Sequence, residues 1–200
     1  MGIAESFGGL FKRSRTIIGL DIGEDSVKAV MLVRSPSGLE MTHYGIAPIR
    51  RNSSGKGKSA GEVTDEAKLE ALNEVFTESG IDPGAVCTAV SGESVIVRPI
   101  PMPNIQTKEE SEFEMAVRGE AKDFIPFEMD DVIFDYQRLG EKENRKGAAG
   151  QEVLIVAVKK DLIDRHLNFL GLAGLEPTII DVDSIALVNG IIAPFRAPKS

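Results

Sequence analysis

The segment from Ile18 to Lys28, IGLDIGEDSVK, constrains this chain more than any other. An apolar run from Thr16 to Ile22 leads into Asp21 and Gly23, and a second run, Val27 to Val33, rich in β-branched residues, begins almost at once. No crossover helix fits so short a gap, so the two runs must pair as an antiparallel hairpin. Leu39 to Ile46 follows the turn residues Ser35-Pro36-Ser37-Gly38 and extends the hairpin to a three-stranded meander. A buried strand that delivers Asp21 and Gly23 to a tight turn creates a small concavity lined by backbone N–H groups, and such a turn can cradle a phosphate. Asp21 can hold the waters of a Mg²⁺ that accompanies it. Ser26 can donate its hydroxyl, and Lys28 a positive charge if it leans back along the hairpin.

Two hundred residues at 42% hydrophobic and 27% charged are enough for a packed core and exclude a wholly disordered chain. The net charge of −8 repels polyanions and argues against broad nucleic-acid binding. Cys87 is the single cysteine, so no intramolecular disulfide or thiolate metal cluster can form, which fits a reducing compartment. The longest clean apolar run, Val153 to Val158, is far below the ~18 residues of a membrane span. Phe7, Leu10 and Phe11, followed by Lys12, Arg13 and Arg15, form a basic terminal segment rather than a cleavable signal.

Arg50 to Gly61 reads as an exposed basic loop. Gly57-Lys58-Ser59 within it mimics the end of a Walker A loop, but Asn52 stands where that motif needs glycine. Thr64 is the expected N-cap of an amphipathic helix with Leu69, Leu72, Val75 and Phe76 on one face and Gly80 past its end. Strands are expected over Ala85 to Val90 and Ser94 to Ile100, with Pro99, Pro101 and Pro103 stopping regular pairing and marking a border. Beyond it come a helix from about Lys108 to Phe124, a hairpin of Asp131 to Leu139 and Glu152 to Val158 around a long polar loop, and a helix capped by Asp161 and Gly174 that turns Ile163, Leu167 and Leu170 inward. A strand from Pro177 to Val182 and a helix from Ser184 to Ile192 complete the pattern.

Other polar residues read as structural. Asp183 is expected to cap the last helix rather than join Asp181 as a metal pair. His43 and His166 have no partner at ligand spacing. Glu109, Glu110, Glu112 and Glu114 form a solvated acidic face favoured by the helix dipole. A nuclease site would need further carboxylates near Asp21, and Glu70 and Glu93 are poor candidates.

The hairpin resembles the first phosphate motif of the fold shared by actin, the heat-shock chaperone ATPases and the sugar kinases. The succession IIGLDIGEDSVKAVML, VRPIPMP, EAKDFIPFEMDDVIFDYQRLG, EVLIVAVKKDLID and GLEPTIIDVDSIALVNG is similar, more narrowly, to the PilM family of type IV pilus assembly, also known for competence. The resemblance implies an α/β fold with an actin-like, RNase H-like core and an inserted small αββαβ subdomain. It divides the chain into a basic segment over 1–15, the first part of the core over 16–101, the insert over 102–176, the return strand and connecting helix over 177–193, and a tail over 194–200. It implies a cytoplasmic scaffold, peripheral at the inner membrane through its partners, that binds the N-terminal tail of PilN in a groove between core and insert and meets other pilus assembly proteins, in the machinery of twitching motility.

ATP and Mg²⁺ are the implied cofactors. Asp21, Gly23, Glu24, Asp25, Ser26 and Lys28 form the phosphate hairpin, with Asp21 meeting the metal through water. The alternative is an ATP-binding actin-like protein related to the cell-division protein FtsA. Glu24 and Asp25 depart from the small or hydroxyl residues usual after the DIG glycine, and two carboxylates repel a triphosphate. The second phosphate motif and the adenosine pocket of the fold lie beyond the helix Ser184 to Ile192, so half of an ATP site is expected in these residues. Ile185, Leu187, Val188, Ile191 and Ile192 on that helix predict self-association.

Overall fold

A computed structural model of the chain describes residues 16–36, 38–51, 63–103, 105, 107, 109–143 and 149–192. The basic terminal segment and the Walker-like Gly57-Lys58-Ser59 lie outside the described residues.

Strands β1 (Thr16–Ile22), β2 (Ser26–Ser35) and β3 (Gly38–Pro48) form the expected antiparallel meander. Helix α1 (Asp65–Ser79) follows, with the Thr64 side chain accepting from Ala67 N at 3.2 Å and Gly80 in the left-handed region at φ 69°. Both ends therefore stop where local chemistry requires. The helix leads to β4 (Ala85–Val90), which pairs parallel with β1, and β8 (Glu176–Val182) pairs parallel with β4. The five-stranded mixed sheet runs β3-β2-β1-β4-β8. Helix α4 (Asp183–Ile192) follows β8.

One face of this sheet carries Ile18, Leu20, Val27, Ala29, Ala47 and Val86, and α1 lays Ala71, Leu72, Val75 and Phe76 onto it. Each large side chain so buried contributes ~1.5–3 kcal/mol. Gly45 is where helix and strand come closest: a Cβ there would lie 3.0 Å from Val75 Cγ2 and 3.1 Å from the Val75 carbonyl oxygen. Among the described residues of α4, Leu187, Val188 and Ile191 are exposed, as the apolar pattern of that helix predicts.

A second sheet, β5-β7-β6, is built from β5 (Val95–Pro103), β6 (Val132–Glu143) and β7 (Ala149–Lys159), all antiparallel. Helix α2 (Glu110–Ala121) buries Phe113, Val117 and Ala121 in a separate core with Ile100, Met102, Val153 and Ile155. The chain thus has two compact units, residues 1–90 with 167–200 and residues 91–166, and the second boundary falls inside α3 (Lys160–Leu172). This is the mixed α/β, actin-like architecture expected, with β8 returning to the first sheet.

Several local expectations are corrected. Pro99, Pro101 and Pro103 do not stop pairing; β5 runs through all three against β7. They are tolerated because β5 is an edge strand and alternate residues turn their nitrogens the same way, toward the free side. The β6–β7 ladder continues to Glu143 and Ala149, well into the segment expected to be loop. Helix α2 ends at Ala121 rather than Phe124, where the Ala121 carbonyl accepts from Phe124 N at 2.9 Å and Ile125 N at 3.1 Å. Asp161 lies inside the first turn of α3, 3.3 Å from Arg165, instead of capping it. That helix buries Phe169 and Leu170, while Leu167 is exposed.

Candidate functional site

All six residues expected at the phosphate hairpin meet at the β1–β2 tip. Asp21 and Lys28 are directly opposed in the ladder, and Lys28 Nζ reaches Asp21 Oδ2 at 2.8 Å. Lys28 does lean back along the hairpin, but onto the carboxylate expected to hold the metal's waters. Gly23 N donates to Ser26 O at 3.0 Å and closes the turn. Glycine is needed there for close approach, since a Cβ would sit 3.1 Å from that Ser26 oxygen.

The tip is braced by the segment after β3. Ile49 N donates to the Asp25 carbonyl at 2.8 Å, and Arg51 Nη2 lies 2.6 Å from Asp25 Oδ1. Arg50 makes a two-pronged contact with Glu74 of α1, at 2.7 and 3.0 Å. The two arginines expected in a solvated basic loop are instead ion-paired, Arg51 with the hairpin and Arg50 with α1. Glu74, 24 residues further along the chain, gave no local signal of this.

Two more carboxylates approach the same end of the sheet. Asp181 lies beside Ala89 in the β4–β8 register, and Asp21 falls one residue beyond the last β1–β4 pair, on the row of Ala89. Asp21 and Asp181 therefore share a face at the carboxyl ends of β1 and β8, the two parallel strands that flank β4, where ligands of open α/β sheets bind. Burial pushes the Asp181 carboxyl up, opposed by the N–H of Val182 that it accepts at 2.7 Å. Asp183 is the first residue of α4 and accepts from Ser184 N, the next amide, rather than from the amides two or three residues on that the expected cap would reach.

This donor set fits ATP and Mg²⁺ poorly. Asp21, Glu24 and Asp25 place three carboxylates at the tip, and the two cations beside them, Lys28 and Arg51, each hold one of those carboxylates. The Gly23 N–H already has a carbonyl partner. A triphosphate would meet uncompensated Glu24 and would have to compete for both cations. Among the described residues no group of three or more His, Cys, Asp and Glu is placed to hold a metal ion. Cys87 is half-buried with its thiol pushed up by burial and its sulfur 3.7 Å from Thr178 Oγ1, a structural position. His43 is exposed beside Thr42.

The second unit holds a cavity of about 970 Å³ lined in part by Ile125, Phe127, Met129, Asp130, Lys159 and Asp164. It is built from the IPFEMDD segment where α2 ends. Lys160 Nζ donates to the Asp130 carbonyl at 2.6 Å, and Lys159 Nζ stands 4.7 Å above the Phe127 ring.

The family of the type IV pilus assembly protein PilM matches residues 19–194. The chain belongs to that family. Among solved structures, a chain of the PilM–PilN type IV pilus biogenesis complex is 27% identical, with a TM-score of 0.69 over 91% of this chain and 51% of that one. The present chain thus spans about half the length of that relative. A diol dehydratase-reactivating factor in nucleotide-free form matches at 22% identity over 47% of this chain and 17% of that one, at a TM-score of 0.26 too low to bear on the fold.

Within this PilM-family chain Phe134, Tyr136 and Arg138 of the segment EAKDFIPFEMDDVIFDYQRLG join residues of α2 in a cluster that the sequence only half disclosed. Glu110, expected to be solvated, accepts from the Tyr136 hydroxyl and from Arg138 Nη2 at 2.7 Å. Arg138 lies 3.6 Å from the Phe113 ring centre, Phe113 lies 5.7 Å from Tyr136, and Arg118 covers Phe134 at 5.0 Å. The Tyr136 phenol is pushed up to about 12, by burial first and by the Glu110 carboxylate second. Glu112 and Glu114 are also held, by Thr107 at 2.6 Å and Arg118 at 3.0 Å. The acidic face of α2 is therefore a set of clamps rather than free surface charge.

Proposed function

We propose that this chain is a scaffold of type IV pilus assembly that binds the cytoplasmic N-terminal tail of a PilN-type membrane protein. The observation that carries the reading is the likeness to a chain of the PilM–PilN complex across 91% of these residues. An extended tail would gain affinity from main-chain hydrogen bonds and side-chain pockets, without chemistry at the protein surface. The charge arrangement at the β1–β2 tip favours such a scaffold over an ATPase, because its cations are already paired with carboxylates. No helix among the described residues is long and apolar enough to cross a membrane; in this reading the chain meets the inner membrane through its partner.

Co-expression tests this. A carrier protein fused to the PilN tail should retain the chain on an affinity resin, and the same carrier without the tail should not. Equal retention by both, or no retention of a chain shown to be folded by circular dichroism, would overturn the reading.

A further inference from the structure

The third strand of the meander, β3, is an edge of the five-stranded sheet and eleven residues long. Edges of this kind are commonly protected by charge, proline or cover. This one displays Leu39, Met41, Tyr44 and Ile46 at 54%, 59%, 68% and 63% exposure.

Strict alternation would place Leu39 and Met41 on one face and Tyr44 and Ile46 on the other. The ladder with β2 shows a different arrangement. Leu39 opposes Arg34 and Met41 opposes Leu32, then the register shifts, and Tyr44 opposes Val30 and Ile46 opposes Lys28. Those four β2 residues share one face, so Leu39, Met41, Tyr44 and Ile46 share it too. The bulge residue, Thr42, moves the second pair onto the side of the first. It is the face opposite α1, which packs where Val27, Ala29 and Gly45 lie.

The bulge also makes the strand self-complementary. The four apolar positions are now symmetric about a point between Thr42 and His43. A two-fold axis through that point, normal to the sheet, sets Leu39 against Ile46 of a second copy and Met41 against Tyr44. It sets Glu40 against Gly45 and Thr42 against His43. Directly opposed residues of an antiparallel pair must share a face, and each apolar pair does. Glu40 is the strand's only acidic residue, and no lysine or arginine accompanies it, so no like charges meet. A foreign strand would use none of this symmetry; a second copy paired in this register uses all of it.

We propose that β3 is a dimerisation edge, pairing antiparallel with β3 of a second copy in the register that opposes Met41 and Tyr44. The contact is isologous and closes at two chains. It is distinct from the exposed face of α4 and independent of PilN binding.

The test uses the full chain in sedimentation velocity across a concentration series. The wild type should show a reversible monomer–dimer equilibrium. Met41→Lys and Tyr44→Glu should each raise the dimer dissociation constant at least about tenfold, by setting a charge against an apolar residue twice per dimer. The double variant M41K/Y44E should dimerise more tightly than either single variant, because each lysine then faces a glutamate of the other copy. A second measurement fixes the register: in a Cys87→Ser background, Met41→Cys with Tyr44→Cys should oxidise to a covalent dimer, and Leu39→Cys with Tyr44→Cys should not. A wild type that stays monomeric at its solubility limit overturns the proposal. So do single variants that leave the constant unchanged, or a double variant no tighter than the singles. Edge amides of β3 that are protected from hydrogen exchange in the monomer, or only when a PilN-type peptide is added, would assign the edge to another occupant and overturn it equally.

Discussion

Phe113→Ala should destabilise the second unit of this chain while leaving the stability of the first unchanged. The ring is fully buried at the centre of the core that α2 makes with the β5-β7-β6 sheet. Truncating a buried phenylalanine costs ~3–5 kcal/mol, depending on how far the site collapses. Arg138 stands 3.6 Å from the ring centre, and its side chain is 42% exposed, so that contact contributes only ~0.5–1 kcal/mol. The tilted pairing with Tyr136 at 5.7 Å is of similar size, ~0.5–1.5 kcal/mol. Part of both is already contained in the truncation range, so the expected loss is about 4 kcal/mol rather than the sum. Against a total of ~5–15 kcal/mol for a domain, that is enough to populate local unfolding. Native-state hydrogen exchange reads the two sheets separately. Amides of β6 and β7 should lose protection by the full amount, while those of β1 and β2, whose core shares no residue with this one, should keep theirs. A loss below about 1 kcal/mol, far under the range for a buried phenylalanine, or an equal loss in both sheets, would refute the reasoning.

Three further outcomes are expected. At about 5 mM MgATP a site with a dissociation constant of ~50 µM would stabilise the chain by ~2.7 kcal/mol, yet no change in melting temperature is expected here, and a saturable rise would show that the hairpin releases Lys28 and Arg51 for phosphate. In a Tyr44→Phe background the phenolate absorbance reports Tyr136 alone and should titrate near 12 in the folded chain. Because the fold favours the neutral phenol, stability to urea should be level below pH 10.0 and fall as pH rises toward about 12, and Tyr136→Phe should remove that slope. Gly45→Val should cost ~1–3 kcal/mol in urea unfolding, since its Cβ alone meets Val75 at 3.0 Å, and a neutral result would mean that α1 sits further from β3 than described.

The parts of the fold legible in the sequence are those whose signals are local. The meander is written in three apolar runs and two short turns. The ends of α1 follow from one hydroxyl at Thr64 and one glycine at Gly80. What the sequence hid depends on partners far along the chain. Glu110 looks like surface charge until Tyr136 and Arg138, 26 and 28 residues later, arrive beside it. Arg51 looks like a loop cation until it reaches Asp25, 26 residues earlier. The prolines of β5 read as breakers because periodicity cannot tell an edge strand from a central one. The bulge at Thr42 is invisible for a related reason: it is defined only by the register that β2 imposes.

At the candidate site, the six hairpin residues were legible as a group because strand, turn and strand adjoin in sequence. Their electrostatic state was not, since it is set by Arg51 from beyond β3. Asp181 joined Asp21 at one end of the sheet through β4, a connection that no sequence spacing discloses.

The measurement closest to the central claim is calorimetric titration of the purified chain with a synthetic peptide of the PilN tail, beside a scrambled peptide of the same composition. The account predicts saturable one-to-one heat with the native sequence and none with the scrambled one. Identical heats from both peptides, or no heat from a chain whose exchange protection shows both sheets folded, would contradict it.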